Sequence, residues 1–251
     1  MQEQQPRGVR WIDSAVTDFR FGLRHVARKL ISALTIVLVL ALGIGREFSY
    51  PEYREYAAQQ KLFSSVAAWT SLDVVLDVGG PQERLVSGAA TYGTANYFQV
   101  LGVRPILGAG LLTDLSDTPA SPPLVAVISH VVWERHFDRA PDIVGRILKV
   151  NGVPVTIAGV APRRFVGAWT GGSQVRVWVP LGARPVLQRG TSFDLGSYDA
   201  ATFGIVARLR PGGTPDQTLP TVEARALHRR RAAARRGKRQ VVGLYLFRDY
   251  G

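Results

Sequence analysis

The stretch Arg146–Pro162, RILKVNGVPVTIAGVAP, decides the fold class. Apolar and polar residues alternate on both sides of Asn151-Gly152, a pair that favours the type I′ turn joining two antiparallel strands. A β-hairpin is therefore expected here. Immediately upstream, PPLVAVISHVVWERHF (Pro122–Phe137) reads as an apolar strand, Leu124–Ile128, running into a helix that Ser129 caps. Further upstream, WTSLDVVLDVGG (Trp69–Gly80) and QERLVSGAATY (Gln82–Tyr92) alternate about Gly79-Gly80-Pro81 and form a second hairpin. TANYFQVLGVRPILG (Thr94–Gly108) predicts a short helix with Thr94 at its cap, ending near Gly102 with Pro105 beyond. Ahead of these, Ser49 is an N-cap and Pro51 lies in the first turn of a helical pattern of Tyr53, Tyr56, Ala57 and Phe63. Downstream come strands near Val175–Val179 and Ala201–Leu209, a helix from about Thr214 to Arg236, and a last strand near Val241–Phe247. Strands and helices mix without a βαβ rhythm, so the fold class is α+β rather than a doubly wound sheet. The Pro-rich segment Thr118–Pro123 is the expected boundary between two lobes.

The chain has 251 residues, no cysteine and a formal net charge of +12. This length supports a sizeable core. Without cysteine there are no disulfides, no thiolate chemistry and no sulfur-ligated zinc or iron–sulfur site. The charge sits at the flanks. Residues 1–29 carry a net +3 and residues 225–239 carry eight basic groups and no acid, which leaves +1 for everything between.

Leu30–Gly45, LISALTIVLVLALGIG, is sixteen residues without a charge, bounded by Arg28-Lys29 and Arg46-Glu47. As a helix it would be roughly 24 Å long against a hydrocarbon core of roughly 30 Å. Snorkelling by Arg28 and Lys29 recovers part of the deficit. A single-pass anchor is the leading reading; a cleaved signal peptide, with Ala41-Leu42-Gly43 as its small-x-small site, and a buried core helix are the alternatives. Val16, Phe19, Leu23, Val26 and Leu30 recur at three- and four-residue steps opposite Asp18, Arg24 and Arg28, the pattern of an amphipathic helix lying on a membrane before a spanning one. Arg20, Arg24, Arg28 and Lys29 place the N-terminus in the cytoplasm and the segment after Gly45 outside. The expected divisions are thus 1–29 cytoplasmic and amphipathic, 30–45 transmembrane, and 46–251 extracytoplasmic.

No catalytic, cofactor-binding or metal-ligating residue is assigned. The paired glycines at 79–80, 171–172 and 212–213 lack the Lys-Ser/Thr of a phosphate-binding loop. His130 and His136, six residues apart on a helix, do not share a face. Ser129-His130 is a cap and its neighbour, since GxSxG is absent. Asp114 and Asp117, beside Thr113 and Ser116, read as a solvated loop. Trp69, Tyr92, Tyr97, Phe98, Trp133, Phe137 and Trp178 read as core. The run Arg225–Arg239 has no interleaved aromatics and no nucleic-acid-binding signature, so it reads as a solvated helix face, with anionic lipid or protein as further contacts and no nucleic acid.

Seven ordered blocks carry a resemblance: RFGLRHVARKL (20–30), LTIVLVLALGIG (34–45), YPEYREY (50–56), NYFQVLGVRPILGAGL (96–111), VAVISHVVWERHF (125–137), DIVGRILKVNGVPVTIAGVAPRRFVG (142–167) and VWVPL (177–181). From about Asp18 to about Asp249 the chain resembles the MacB-like periplasmic core domain of FtsX-like ABC-transporter permeases, in particular the group called acidobacterial permeases. The resemblance implies an inner-membrane subunit whose first helix is followed by a periplasmic domain and then by three more spanning helices. It also implies a separate ATPase subunit as partner, contacts with other envelope or permease proteins and with membrane lipid, a mechanotransmitting role, and no catalytic residues. Where the family continues with an Asn-Thr-rich stretch and a Leu-Arg-Pro-Leu-Pro-Tyr-like exit, Arg46 and SYPEYREY follow Gly45 directly. The sequence stops at Gly251, before the later helices, so a truncated member is expected. A membrane-anchored or secreted non-catalytic binding module is the alternative reading.

Overall fold

In the computed structural model, residues 37–40, 48–79, 85–111, 122–168, 174–190, 193–198, 202–214, 217–218, 220 and 245–247 are described. In chain order the elements are β1 (Val37–Leu40), α1 (Tyr50–Ala57), β2 (Phe63–Asp77), β3 (Leu85–Gly93), α2 (Tyr97–Leu101), β4 (Leu107–Gly108), β5 (Val125–Ile128), α3 (His130–His136), β6 (Ile147–Val150), β7 (Val153–Val160), β8 (Val175–Pro180), α4 (Arg184–Leu187), β9 (Gly204–Leu209) and β10 (Tyr245–Phe247). The mixed α/β character matches the α+β expectation. Two units, Met1–Thr35 and Ile36–Gly251, divide the chain, and the first lies outside the described residues.

The hairpin at Asn151-Gly152 forms as read. Val150 faces Val153, and both turn residues have positive φ, 50° and 80°, as a type I′ turn requires. The second hairpin also forms, Asp77 opposite Leu85 and Trp69 opposite Gly93. All ten strands share one sheet in the order β10-β1-β9-β2-β3-β8-β5-β7-β4, while β6 pairs with both β7 and β2. That double pairing closes a ring, β2-β3-β8-β5-β7-β6. Its links are antiparallel except β3–β8 and β5–β7.

Side chains alternate across a strand, so each strand of a closed ring sends every second residue inward. At least two from each of the six do so: Val74 and Leu76, Ala90 and Tyr92, Val177 and Val179, Ala126 and Ile128, Val155 and Ile157, Leu148 and Val150, all in one buried cluster. These side chains make up the buried interior of the ring. α1 extends the same cluster through Tyr53 and Tyr56, which join Phe48, Phe63, Val66 and Phe203. A second cluster covers the outer face, where Val127, Trp178, Ala67, Trp69 and Val206 meet Tyr97, Phe98, Val100 and Leu101 of α2 and Ala161, Phe165 and Ala168 of the turn after β7.

The helices are short and individually terminated. At α1 the Ser49 N–H donates to Glu52 Oε2 at 2.8 Å and the Glu52 N–H donates to Ser49 Oγ at 3.4 Å, a reciprocal capping box. The helix stops at Ala57, and Phe63, read as part of its pattern, instead opens β2. α2 ends at Gly102 in the left-handed region, φ 71°. Thr94 is not its cap. Its hydroxyl donates to Asn96 Oδ1 and accepts from the Ala68 N–H, and the Asn96 amide donates to the Val66 carbonyl, so both side chains tie the helix entry to β2. At α3, Ser129 Oγ accepts from the Val132 N–H at 3.2 Å, the cap expected.

Two expectations fall on segments that are described only in part. Of the run expected to span a membrane, 30–45, Val37–Leu40 is described, and it is strand: Val37 faces Arg208 and Leu40 faces Ile205 on β9, with β10 on the other side. No helix among the described residues is long and apolar enough to cross a membrane. An uncharged apolar run suits a strand as well as a helix, and periodicity alone does not separate the two. The sheet is also continuous across the expected lobe boundary at 118–123, because β2 and β3 before it pair with β9 and β8 after it. The amphipathic segment 1–29, the Asp114–Asp117 loop and the Arg225–Arg239 run lie outside the described residues, as does most of the helix expected over 214–236.

Candidate functional site

The polar groups that hold the ring closed are the most specific feature of the structure. Asn151, at the hairpin tip, accepts from the Val75 N–H through Oδ1 at 2.9 Å and donates through Nδ2 to the Leu187 carbonyl at 2.9 Å, while its own N–H donates to the Val75 carbonyl at 2.8 Å. One residue thus joins the β6–β7 hairpin to β2 and to the end of α4. Beside it, Gln188 Nε2 donates to the Asp73 carbonyl, and Lys149 Nζ meets Asp77 Oδ2 at 2.9 Å where β6 lies against β2. The Asn-Gly pair signals a turn; nothing in it signals that the Asn side chain bridges two further elements.

A second set fastens α2 and the turn after β7. The Ala168 N–H donates to Tyr97 Oη at 2.9 Å, inside the outer cluster where Phe165 and Trp178 lie 4.9 Å apart and Phe98 and Trp178 5.9 Å apart. Arg208 on β9 donates from Nη2 and Nε to the Val100 carbonyl at 2.9 and 3.2 Å, satisfying a terminal carbonyl of α2. Arg184, buried, donates to Thr202 Oγ1 and lies 4.7 Å above the Phe193 ring. These arginines were not singled out from sequence, because basic residues are ordinarily solvated.

The titratable groups are dispersed among such contacts. The hydrogen bond from Lys149, with the Gly79 N–H, holds Asp77 below the usual carboxylate range, and the hydrogen bonds from Arg146 do the same for Asp142. Burial inside the ring pushes the Tyr92 hydroxyl up to about 12, opposed by Gln188 and Arg184. Burial, then the charges of Arg139 and Arg163, hold His130 below its ordinary value, with Glu134 Oε2 3.8 Å from its Nδ1 and Glu134 in turn paired with Arg139. Among the described residues no three His, Asp or Glu side chains are grouped to hold a metal ion. His130 and His136 both lie on α3, and Ser129 is committed to its cap. The aromatics read as core are core: Trp69, Tyr92, Tyr97, Phe98 and Trp178 are buried, and Trp133 and Phe137 pack against the main cluster.

What this arrangement supplies is a closed ring of strands pinned at several points by side-chain hydrogen bonds. Against known families, residues 14–225 match the model of the MacB-like periplasmic core domain. The chain belongs to that family. The match spans all seven resembling blocks, from the basic segment before the apolar run to beyond β9. Among solved structures, this MacB-like domain is similar to the periplasmic region of MacB from Actinobacillus actinomycetemcomitans, at 17% identity and a TM-score of 0.57, over 86% of this chain and 89% of that one. It is also similar to the extracellular domain of the noncanonic ABC-type transporter YknZ from Gram-positive bacteria, at 17% identity and a TM-score of 0.51, over 85% of this chain and 100% of that one. At such identity these two likenesses concern the fold. No curated protein matches the sequence.

Proposed function

We propose that the chain is a subunit of an FtsX-like ABC permease system of the bacterial inner membrane, anchored by residues 30–45 with its N-terminus in the cytoplasm and residues 46–251 in the periplasm. The match of residues 14–225 to the MacB-like periplasmic core domain carries this reading. The uncharged run bounded by Arg28-Lys29 supports the anchor and its orientation. In this role the domain performs no covalent chemistry. It transmits motion and makes protein contacts with other envelope or permease proteins, close to membrane lipid, while a separate cytoplasmic subunit hydrolyses ATP. A stiff closed ring suits the task, since a packed interior passes on displacement with little internal yielding.

The experiment is purification of the full chain from its native membranes through a C-terminal tag, followed by an ATPase assay on the eluate. Co-elution of a nucleotide-binding subunit with vanadate-sensitive ATPase activity is the expected result. A chain that elutes from intact membranes without such a subunit would favour the anchored binding module without an ATPase partner.

A further inference from the structure

Val37–Leu40 belongs to two descriptions that exclude each other. In sequence these four residues are the centre of the uncharged run 30–45. In the structure they are β1, in four-residue antiparallel register with Ile205–Arg208 of β9. A spanning helix needs about 20 apolar residues, and the run has sixteen, so it has none to spare. Taking out 37–40 leaves 30–36 and 41–45, neither of which crosses a bilayer. A backbone bonded to β9 cannot at the same time close its own helical i to i−4 bonds.

We infer that Val37–Leu40 has two alternative seats, the bilayer and the outer edge of β9, and that the β9 edge is vacated when the chain is inserted in a membrane. The inference rests on the anchor proposed above. β9 is made to be covered: Ile205, Val206 and Ala207 are fully buried, one edge is paired with β2, and an open second edge would leave a row of unpaired N–H and C=O groups. The chain can reach both seats. Phe48 is bridged to Phe203, just before β9, and only two residues separate it from Gly45, so an inserted run ends within about 10 Å of the sheet. In the other seat, the segment from Leu40 to Phe48 easily covers the short step from Ile205 to Phe203. β10 pairs with β1 and with no other described strand, so Tyr245–Phe247 leaves β9's neighbourhood whenever β1 does. Insertion at one end of the chain is thereby coupled to release near the other.

The absence of native cysteine makes a cross-linking test clean. The full chain carrying Leu38→Cys with Ala207→Cys, or Val39→Cys with Val206→Cys, is synthesised cell-free with and without bacterial inner-membrane vesicles and then mildly oxidised. The two pairs are adjacent in register, so one of them is a closely spaced, non-hydrogen-bonded pair. Ser71→Cys with Thr91→Cys, whose native oxygens are 3.2 Å apart on β2 and β3, is the control. Without vesicles a β1–β9 pair is expected to shift to the oxidised, faster-migrating band as fully as the control. In the vesicle-bound, alkali-resistant fraction the control alone is expected to shift. Equal β1–β9 cross-linking in that fraction would overturn the alternation while leaving the anchor intact. Failure of both β1–β9 pairs without vesicles, with the control formed, would overturn the β9 seat. If no chain resists alkali, the anchor fails and the bilayer seat with it, whatever the cross-links show.

Discussion

Replacing Asn151 with Ala tests whether the hairpin tip is what closes the ring. The substitution removes the bond accepted from the Val75 N–H and the bond donated to the Leu187 carbonyl. Both lie at the partly exposed rim, so each is worth about 0.5–1 kcal/mol net. It also puts a Cβ-bearing residue without a local polar partner at φ 50°, which costs about 1 kcal/mol more than Asn there. The sum is about 2–3 kcal/mol. For a domain of this size that lowers Tm by roughly 4–12 °C, at about 2–4 °C per kcal/mol. Asn151→Gly separates the two contributions, because glycine accepts the positive φ but makes neither bond; it should lose about 1–2 kcal/mol. Asn151→Asp keeps the acceptor for Val75 and sets a carboxylate against the Leu187 carbonyl, so it should fall between wild type and Ala at neutral pH. Urea unfolding followed by tryptophan fluorescence gives the midpoints. An Asn151→Ala midpoint within about 0.5 kcal/mol of wild type would refute the assignment, since that is the scatter of surface substitutions touching nothing specific.

Three further outcomes follow from the polar contacts. Tyr97→Phe leaves the buried Ala168 N–H without its acceptor and should destabilise by about 1–3 kcal/mol in the same urea assay; an unchanged midpoint would mean that the turn after β7 is held by packing alone. His130 is held below its ordinary value of 6.5 in the folded chain, so the unfolded chain binds the proton more readily and stability is lost as pH falls through that value, down to the lower folded-state value; His130→Phe, which keeps the edge-on contact with Trp133 and removes the titration facing Arg139, Arg163 and Glu134, should flatten the dependence of the urea midpoint on pH between about 7.5 and 5.5, and parallel slopes would contradict it. Asp77 and Asp142 are held below 3.8, so what their pairs contribute is present above that value and lost as pH falls through the lower folded-state values; Lys149→Met should raise the Asp77 titration midpoint seen by NMR and leave that of Asp142 unmoved.

The local elements were legible where short-range chemistry decides them. Asn151-Gly152 specifies its turn through positive φ, Ser129 and Ser49 specify their caps, and Gly102 ends α2 because a left-handed residue is needed there. Tertiary demands were not legible. Thr94 looks like a cap residue but, together with Asn96, bonds across to β2, and Phe63 continues a helical spacing only by coincidence, since its register on β2 places it against Leu209. The closure of the ring depends on β6 meeting the far end of β2, Leu76 opposite Val150, some seventy residues away in sequence, and no periodicity records such a pairing. Arg184 and Arg208 were passed over because a buried guanidinium is recognised only by its partners. The apolar run 30–45 carried a membrane signal by composition, while its centre also fits a strand slot; composition does not choose between them.

The most direct test of the proposed role is the topology of the full chain in its native membrane, read by alkaline phosphatase fused after Gly251 together with alkaline extraction. The account predicts an active phosphatase that stays in the alkali-resistant pellet. An inactive fusion, or an active one released quantitatively into the soluble fraction, would contradict an anchored domain facing the periplasm.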